Sequence, residues 1–313
     1  TTMALTNFPF GVSSFGIPLI GSGPDLTTGN VFFVSSTAAN RSDSGSQGDS
    51  PSLPFATLDY AIGRCTANNG DIIYVMPGHV DTVIAANGID ADVAGIKIKG
   101  LGWGLSRPQI NFTTAVGASF RLNANSVWVE NIRFTGGIDN LTNVIVVNGV
   151  TDCVLHNLEY RDVTGQCAIG LSCANNSDRL TIDGYRHIGD SAAGTTRAMQ
   201  FNGCDDLVLR NFDIYGNFST SAVDFVTTLS NRIWVYDGYV WTENVADLCF
   251  IDTITGSTGT FGPRIFMVLQ DNAANITEAI TGATFQVMDD QVQVVNLVNE
   301  KSMAINWVAS TDA

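Results

Sequence analysis

LVLRNFDI at 207–214 is one of five short phrases of the same shape, the others being VWVENIRF at 127–134, CVLHNLEY at 153–160, LTIDGYRH at 180–187 and IWVYDGYV at 233–240. Almost every letter changes from phrase to phrase while the pattern holds. Val127, Cys153, Leu180, Leu207 and Ile233 form one apolar column, at steps of 26, 27, 27 and 26 residues. Val129, Leu155, Ile182, Leu209 and Val235 form a second, and Asn131, Asn157, Gly184, Asn211 and Asp237 a third. Two inward apolar residues at period 2, then a residue that tolerates a bend, then more strand, is the grammar of a short strand, a turn and a second strand.

A further phrase precedes each of these: FRLN at 120, IVVN at 145, IGLS at 169, MQFN at 199 and VDFV at 223, with steps of 25, 24, 30 and 24 and the insertion GDSAAGTT at 189–196 in the long step. Strand-based self-similarity at this period marks a solenoid, and a unit of this size holding two or three strands matches one coil of a parallel β-helix. Each coil then adds roughly 4.8 Å along the axis. The letters can drift because a column asks only for an inward apolar side chain. IKIKGLGWG at 96–104, with Gly100 in the turn column, reads as an earlier coil and GPRIFMVLQD at 262–271 as a later one, giving six to eight coils. The phrase of a leucine-rich repeat and its helices are missing.

The rest of the composition agrees with an all-β chain. It has 313 residues, 45% hydrophobic, with 31 Gly and 17 Phe, which suit many short strands joined by turns. Only 14% of residues are charged and the net charge is −15, a balance that repels phosphate backbones and anionic membrane surfaces. Nucleic acid and membrane are therefore not expected partners. No apolar run approaches the length of a membrane span, and the first residues lack the pattern of a secretory signal. The six cysteines form no CxxC pair and have no histidine partners at metal spacing, so no cofactor or metal is expected. Cys153, Cys204 and Cys249 read as buried thiols, while Cys167 and Cys173 lie near one turn and leave one disulfide open.

Three segments follow from this pass. Residues 1–30 are an extended arm, apolar but without a period, whose Phe8, Phe10, Phe15, Ile17, Leu19 and Ile20 need a surface to lie against, either a neighbouring subunit or a partner surface, with a strap across the chain's own body as the competing reading. Residues 31–275 are the β-helix, opened by the strand VFFVSS and a short helix on which Phe55, Leu58, Ala61 and Ile62 share a face that would cover the open end of the sheet beginning at IIYVM. Residues 276–313 break the register and read as a small antiparallel cap or oligomerisation element.

PFATLDYAI followed by GDIIYVMPGHVDT resembles the opening of pectate-lyase-like right-handed parallel β-helix proteins, where a capping helix precedes a strand ending in a Pro-Gly turn. The resemblance spans 50 to about 270 and speaks to the fold, a single-stranded right-handed β-helix, rather than to an activity. MALTNFPFGVSSFGIPLIGSG resembles the leading arm of tailed-phage virion proteins. Together the two imply a decoration or cement protein on a phage head, assembled in the host cytoplasm, bound to the major capsid protein through the arm and trimeric, as such proteins usually are. The other reading is a tailspike or secreted β-helix that binds or cleaves a polysaccharide, with a host-surface glycan as partner.

The chemistry-bearing residues point to no reaction centre, and the chain is expected not to be an enzyme. Asp205-Asp206 resembles the paired carboxylates of polygalacturonases, but that family's other phrases are absent and NGCDDL falls where a coil turns. Asp289-Asp290 is the other adjacent pair. His156 and His187 occupy different columns, and His79 follows a Pro-Gly turn and is expected in solvent. Arg133, Arg161, Arg186, Arg210 and Arg232 recur near the turn column, where they could line up for anionic sugars or pair with Glu130, Glu159, Asp183 and Asp213. The aromatic residues Trp128, Tyr160, Tyr185, Tyr215, Trp234 and Tyr236, with Tyr239 and Trp241 beside them, are expected to form an outward stripe suited to a protein interface or to sugar rings.

Overall fold

The computed structural model describes residues 13–14, 17–18, 27–162, 167–174, 176–189, 195–243, 248–269, 280–281, 284–287, 292–296 and 301–304. They form an all-β parallel solenoid of about seven turns with almost no helix. Each coil contributes to three stacked faces. The first is built by Ile72–Val75, Lys97–Gly100 and Trp128–Glu130, and then by the opening halves of Val154–Asp162, Thr181–Ile188, Val208–Gly216 and Ile233–Thr242. Those long strands bend onto the second face, where they continue Val80–Val83, Gln109–Phe112 and Arg133–Gly136 and lead to Ile265–Leu269. The third face is a sheet of eight strands from Ile89–Ala91 to Ile280–Thr281.

The bend between the first two faces is made by the turn column. Asn131, Asn157, Gly184, Asn211 and Asp237 have φ of +58°, +49°, +79°, +53° and +54°. This left-handed region is open to glycine and, among other residues, most readily to Asn and Asp. The side chains also link coils: Asn131 Nδ2 donates to the carbonyls of Gly100 (2.7 Å) and Gly102 (2.9 Å), Asn157 Nδ2 to Asn131 Oδ1 (3.1 Å) and Asn211 Nδ2 to Asp183 Oδ1 (2.6 Å). Gly184 interrupts this ladder because it has no side-chain amide to offer. Arg264, with φ of +58°, takes the same place one coil later.

Both apolar columns face inward as the repeat requires. Residues 127, 153, 180, 207 and 233, and 129, 155, 182, 209 and 235, are all at most 2% exposed. Between the faces the core is filled by phenylalanines, with Phe201 and Phe225 stacked at 5.3 Å and Phe250 edge-on to Phe261 at 5.0 Å. The third-face register corrects the sequence alignment. Ile145 pairs with Phe120 and Leu171, not Ile169, and Leu171 pairs with Met199. A slip of two residues leaves every side chain on its own face, so periodicity could not exclude it.

The N-terminal end is closed by the helix Leu58–Ile62, whose Leu58, Ala61 and Ile62 are buried together with Phe55. Thr57 caps it by accepting from the Tyr60 N–H at 3.4 Å, and Asp81 Oδ2 accepts from the Leu58 N–H at 2.9 Å. The same carboxylate lies 3.0 Å from His79 Nε2. His79 is thus buried beneath the cap rather than in solvent. The sheet begins one strand earlier than IIYVM, because Val31–Val34 pairs in parallel with Ile72–Val75. At the other end Thr284–Val287 and Val292–Asn296 still stack in parallel, and Lys301–Ala304 returns antiparallel. All six cysteines are free, and Cys167 and Cys173 sit on one extended strand, six residues or roughly 20 Å apart, too far for a disulfide.

Candidate functional site

The second face carries the densest ionic cluster among the described residues. Arg133, Glu159, Arg186 and Asp213 follow one another in register along its outer surface, and Arg161 lies beside Glu159 on the same strand. Glu159 is 5% exposed and serves three guanidiniums: Arg107 Nη1 at 3.2 Å, Arg133 Nε at 3.1 Å and Arg161 Nε. Arg186 pairs with Asp213 at 2.9 Å. Four arginines therefore face two carboxylates, an excess of two positive charges on a chain whose net charge is −15.

The cations crowd one another. Burial lowers the pKa of Arg107, and Arg133, Arg161 and Arg186 add to that against the pull of Glu159. Burial works the other way on Glu159, but hydrogen bonding from Arg161 and the charges of Arg161, Arg107 and Arg133 hold its carboxyl below the usual range. Arg107 is fixed by more than charge, because Nη2 also donates to the carbonyls of Ile132 (3.3 Å) and Asn157. Its Nε is buried without a partner. Arg107 and Arg133 form the rigid floor, while Arg161 and Arg186, with side chains 40% and 52% exposed, reach solvent.

Further along the face the charge gives way to aromatic rings. Asp213 is in register with Tyr239, Tyr215 with Trp241, and Tyr239 with Phe266. Tyr239 and Phe266 stack at 5.6 Å with an interplanar angle of 6°, and Tyr215 meets Trp241 edge-on at 6.0 Å, its hydroxyl donating to Glu243 at 2.6 Å. From Arg133 to Phe266 the strip crosses six strands, or roughly 24 Å at the spacing of paired strands.

The expected aromatic stripe is divided by the fold. Tyr160 and Tyr185 are buried in the core at 0% and 1% exposure, contrary to the outward placement read from the sequence. The left-handed residue at 157 or 184 consumes one position, so the inward set runs 155, 158, 160 and 182, 185, 187 and the alternation changes phase. Tyr215 belongs to the second face. Trp128 and Trp234 lie on the first, in one column four strands apart with Val154, Thr181 and Val208 between them. Lys97 sits over the Trp128 ring at 4.5 Å, and Trp234 packs against Tyr236 at 5.0 Å.

The arginines divide in the same way. Arg133, Arg161 and Arg186 meet on the second face, Arg210 pairs with Asp183 on the first at 2.8 Å, and Arg232 clasps Asp206 through two bonds at the corner between the third and first faces. Asp206 has φ of +58° and Asp205 accepts from the Asn231 N–H at 2.8 Å, so that acidic pair is a coil turn. His156 registers with Asp183 and His187 with Tyr160, on different faces, and they share no site. No group of metal-binding side chains occurs among the described residues. Arg107 and the aromatic residue Phe266 escaped the sequence reading because both lie outside the five aligned phrases. Asp289-Asp290 and the side chains of Phe8, Phe10, Phe15, Ile17, Leu19 and Ile20 lie outside the described residues.

No protein-family model matches the sequence, and no curated protein matches it. Among solved structures the chain is similar to a rhamnogalacturonan lyase, with 11% identity, 89% of this chain and 90% of that one covered, and a TM-score of 0.48. It is similar to an alginate lyase from Paenibacillus sp. str. FPU-7 at 13% identity, 75% and 95% coverage and a TM-score of 0.48. A GH136 lacto-N-biosidase from Eubacterium ramulus follows at 10% identity, 86% and 68% coverage and a TM-score of 0.44. None resembles a phage virion protein by name. The expectation that the chain is not an enzyme is corrected on this finding: all three are named for reactions on carbohydrates, so the lack of a familiar motif is no ground for excluding catalysis. At these values the likeness assigns no activity to the chain.

Proposed function

We propose that this protein binds an acidic polysaccharide along the outer surface of its second face. The observation that carries the reading is the convergence of Arg107, Arg133 and Arg161 on the single buried carboxylate Glu159, with Arg186 beside it in register and paired to Asp213, which leaves unneutralised positive charge at a fixed place on an acidic molecule. Planar guanidiniums match carboxylates and sulfates, and Glu159 holds them against their mutual repulsion until a ligand anion arrives. The rings of Tyr215, Trp241, Tyr239 and Phe266 continue the strip and offer apolar contact to the sugar rings that follow. A stack of paired strands is a stiff support, so little ordering is needed on binding.

The test is retention on immobilised polygalacturonate and alginate, compared with neutral dextran, over a range of salt. Salt-sensitive retention on the acidic polymers is expected. Replacing Arg161 and Arg186 together by Gln should weaken binding by about tenfold or more, since hydrogen bonds to charged groups contribute roughly 1.5–3 kcal/mol each. Equal behaviour on acidic and neutral columns would sink the reading.

A further inference from the structure

The two most exposed large apolar side chains among the described residues stand next to the arginine cluster. Trp103 is 86% and Leu105 98% exposed. They lie on the loop that joins Lys97–Gly100 on the first face to Gln109–Phe112 on the second, and that loop also carries Arg107. Such exposure would mean little on a loosely held loop, but this one is tied at Gly102, Trp103, Gly104 and Ser106. Asn131 Nδ2 donates to the Gly102 carbonyl at 2.9 Å, Ser106 N to Trp103 O at 3.0 Å, and Gly78 N to Ser106 O at 2.8 Å. Arg133 Nη2 donates to Gly104 O at 3.2 Å. Gly102 and Gly104 adopt φ of +94° and +59°, and a Cβ on Gly102 would come within 2.7 Å of the Ser106 carbonyl, so the backbone path itself requires glycine.

One guanidinium connects the two features. Arg133 binds Glu159 through Nε and the loop carbonyl of Gly104 through Nη2, which places Trp103 one residue from a group of the cluster. Resting on the binding reading above, we infer that Trp103 is an aromatic subsite for the sugar next to the one whose acid group meets Arg161 and Arg186. An indole face attracts the C–H face of a pyranose ring while the ring hydroxyls stay in water, and Leu105 widens the apolar shelf. The occupant this favours is an acidic polysaccharide whose neighbouring residue is uncharged, because Trp103 and Leu105 offer that sugar an apolar shelf and no charge, as in an alternating polymer of uronic acid and a neutral or N-acetylated sugar. An anionic lipid surface is disfavoured as occupant by the chain's net charge of −15.

The experiment compares wild type, Trp103→Ala, Trp103→Phe and the Arg161→Gln/Arg186→Gln double variant, titrated with hyaluronan as the alternating polymer and polygalacturonate as the uniform one. Trp103→Ala is expected to lose roughly 3- to 10-fold in affinity for hyaluronan with its salt dependence unchanged, while Trp103→Phe keeps most of it. Ligand-induced change in tryptophan fluorescence should shrink in Trp103→Phe. The double variant should lose affinity for both polymers and the salt dependence with it. If Trp103→Ala binds hyaluronan as wild type does while the double variant fails, the subsite is overturned and the arginine site stands. If both variants bind as wild type does, both readings fall. Trp103 touches nothing in the core, so loss of fold does not cloud the comparison, and circular dichroism checks this.

Discussion

His187 lies in the inner column of the second face, with Tyr160 and Ile214 as its register neighbours, fully buried and packed between the rings of Tyr160 and Phe218 at 5.1 and 5.5 Å. Its Nε2 has no hydrogen-bond partner, and Nδ1 has only the Tyr185 hydroxyl at 3.5 Å. Burial pushes its pKa down from 6.5 to about 3. The fold therefore accepts the neutral ring, while the unfolded chain takes up a proton near its ordinary value. Stability from this residue is whole above pH 6.5 and declines as pH falls from there toward 3, by up to about 1.4 kcal/mol per pH unit. A His187→Leu variant should lack that part of the acid sensitivity. Denaturant melts of both proteins between pH 7 and 4 should show a stability difference that shifts toward the variant as pH falls; parallel curves would mean the imidazole is solvated. The position was legible as a strand residue, but its burial was not, for the same reason that Tyr160 and Tyr185 were placed outside. A single left-handed residue at 157 or 184 changes the phase of the alternation, and period-2 counting does not register a conformation.

At the scale of the element, the sequence disclosed what is repeated and hid what is not. The two apolar columns and the turn column were readable because each recurs five times with one physical demand, an inward apolar group or a residue that tolerates positive φ. The third-face strands were found but misregistered at Cys167–Ala174, where a two-residue slip costs nothing in pattern. Arg107 and Trp103 belong to a loop that occurs once, so no column pointed to them, although the two glycines flanking Trp103 mark a constrained path. The helix Leu58–Ile62 was readable from spacing, and what it does is now specific: it covers the open end through Leu58, Ala61 and Ile62, with its first N–H held by Asp81. Leu58→Ala should remove about 2–5 kcal/mol of local stability. Because a coil depends on its neighbours alone, that loss is expected as proteolysis within residues 27–91, ahead of any cleavage in the later coils. Cleavage spread evenly along the chain would contradict the capping role.

Across the described residues, nearly all pairing links a strand to the one directly above or below it, and the core is one continuous cluster built as a pile of layers. Such an architecture sums stability over nearest-neighbour interfaces and spreads the proposed binding strip over six successive strands, so local damage should remain local and a ligand bound there should fasten several coils at once. Phe225 gives a clean test. It is fully buried and stacked on Phe201 of the preceding coil at 5.3 Å, and its strand pairs with Leu248–Asp252 above. Phe225→Ala should cost about 3–5 kcal/mol through lost contact and the cavity left behind. Hydrogen exchange should then accelerate in Thr195–Phe201, Phe218–Phe225 and Leu248–Asp252 while Phe120–Leu122, several coils below, keeps its protection. Faster exchange in all of these strands together would show instead that the solenoid unfolds as one cooperative body, and the strip of arginines and rings would then owe its rigidity to the entire stack rather than to the coils that carry it.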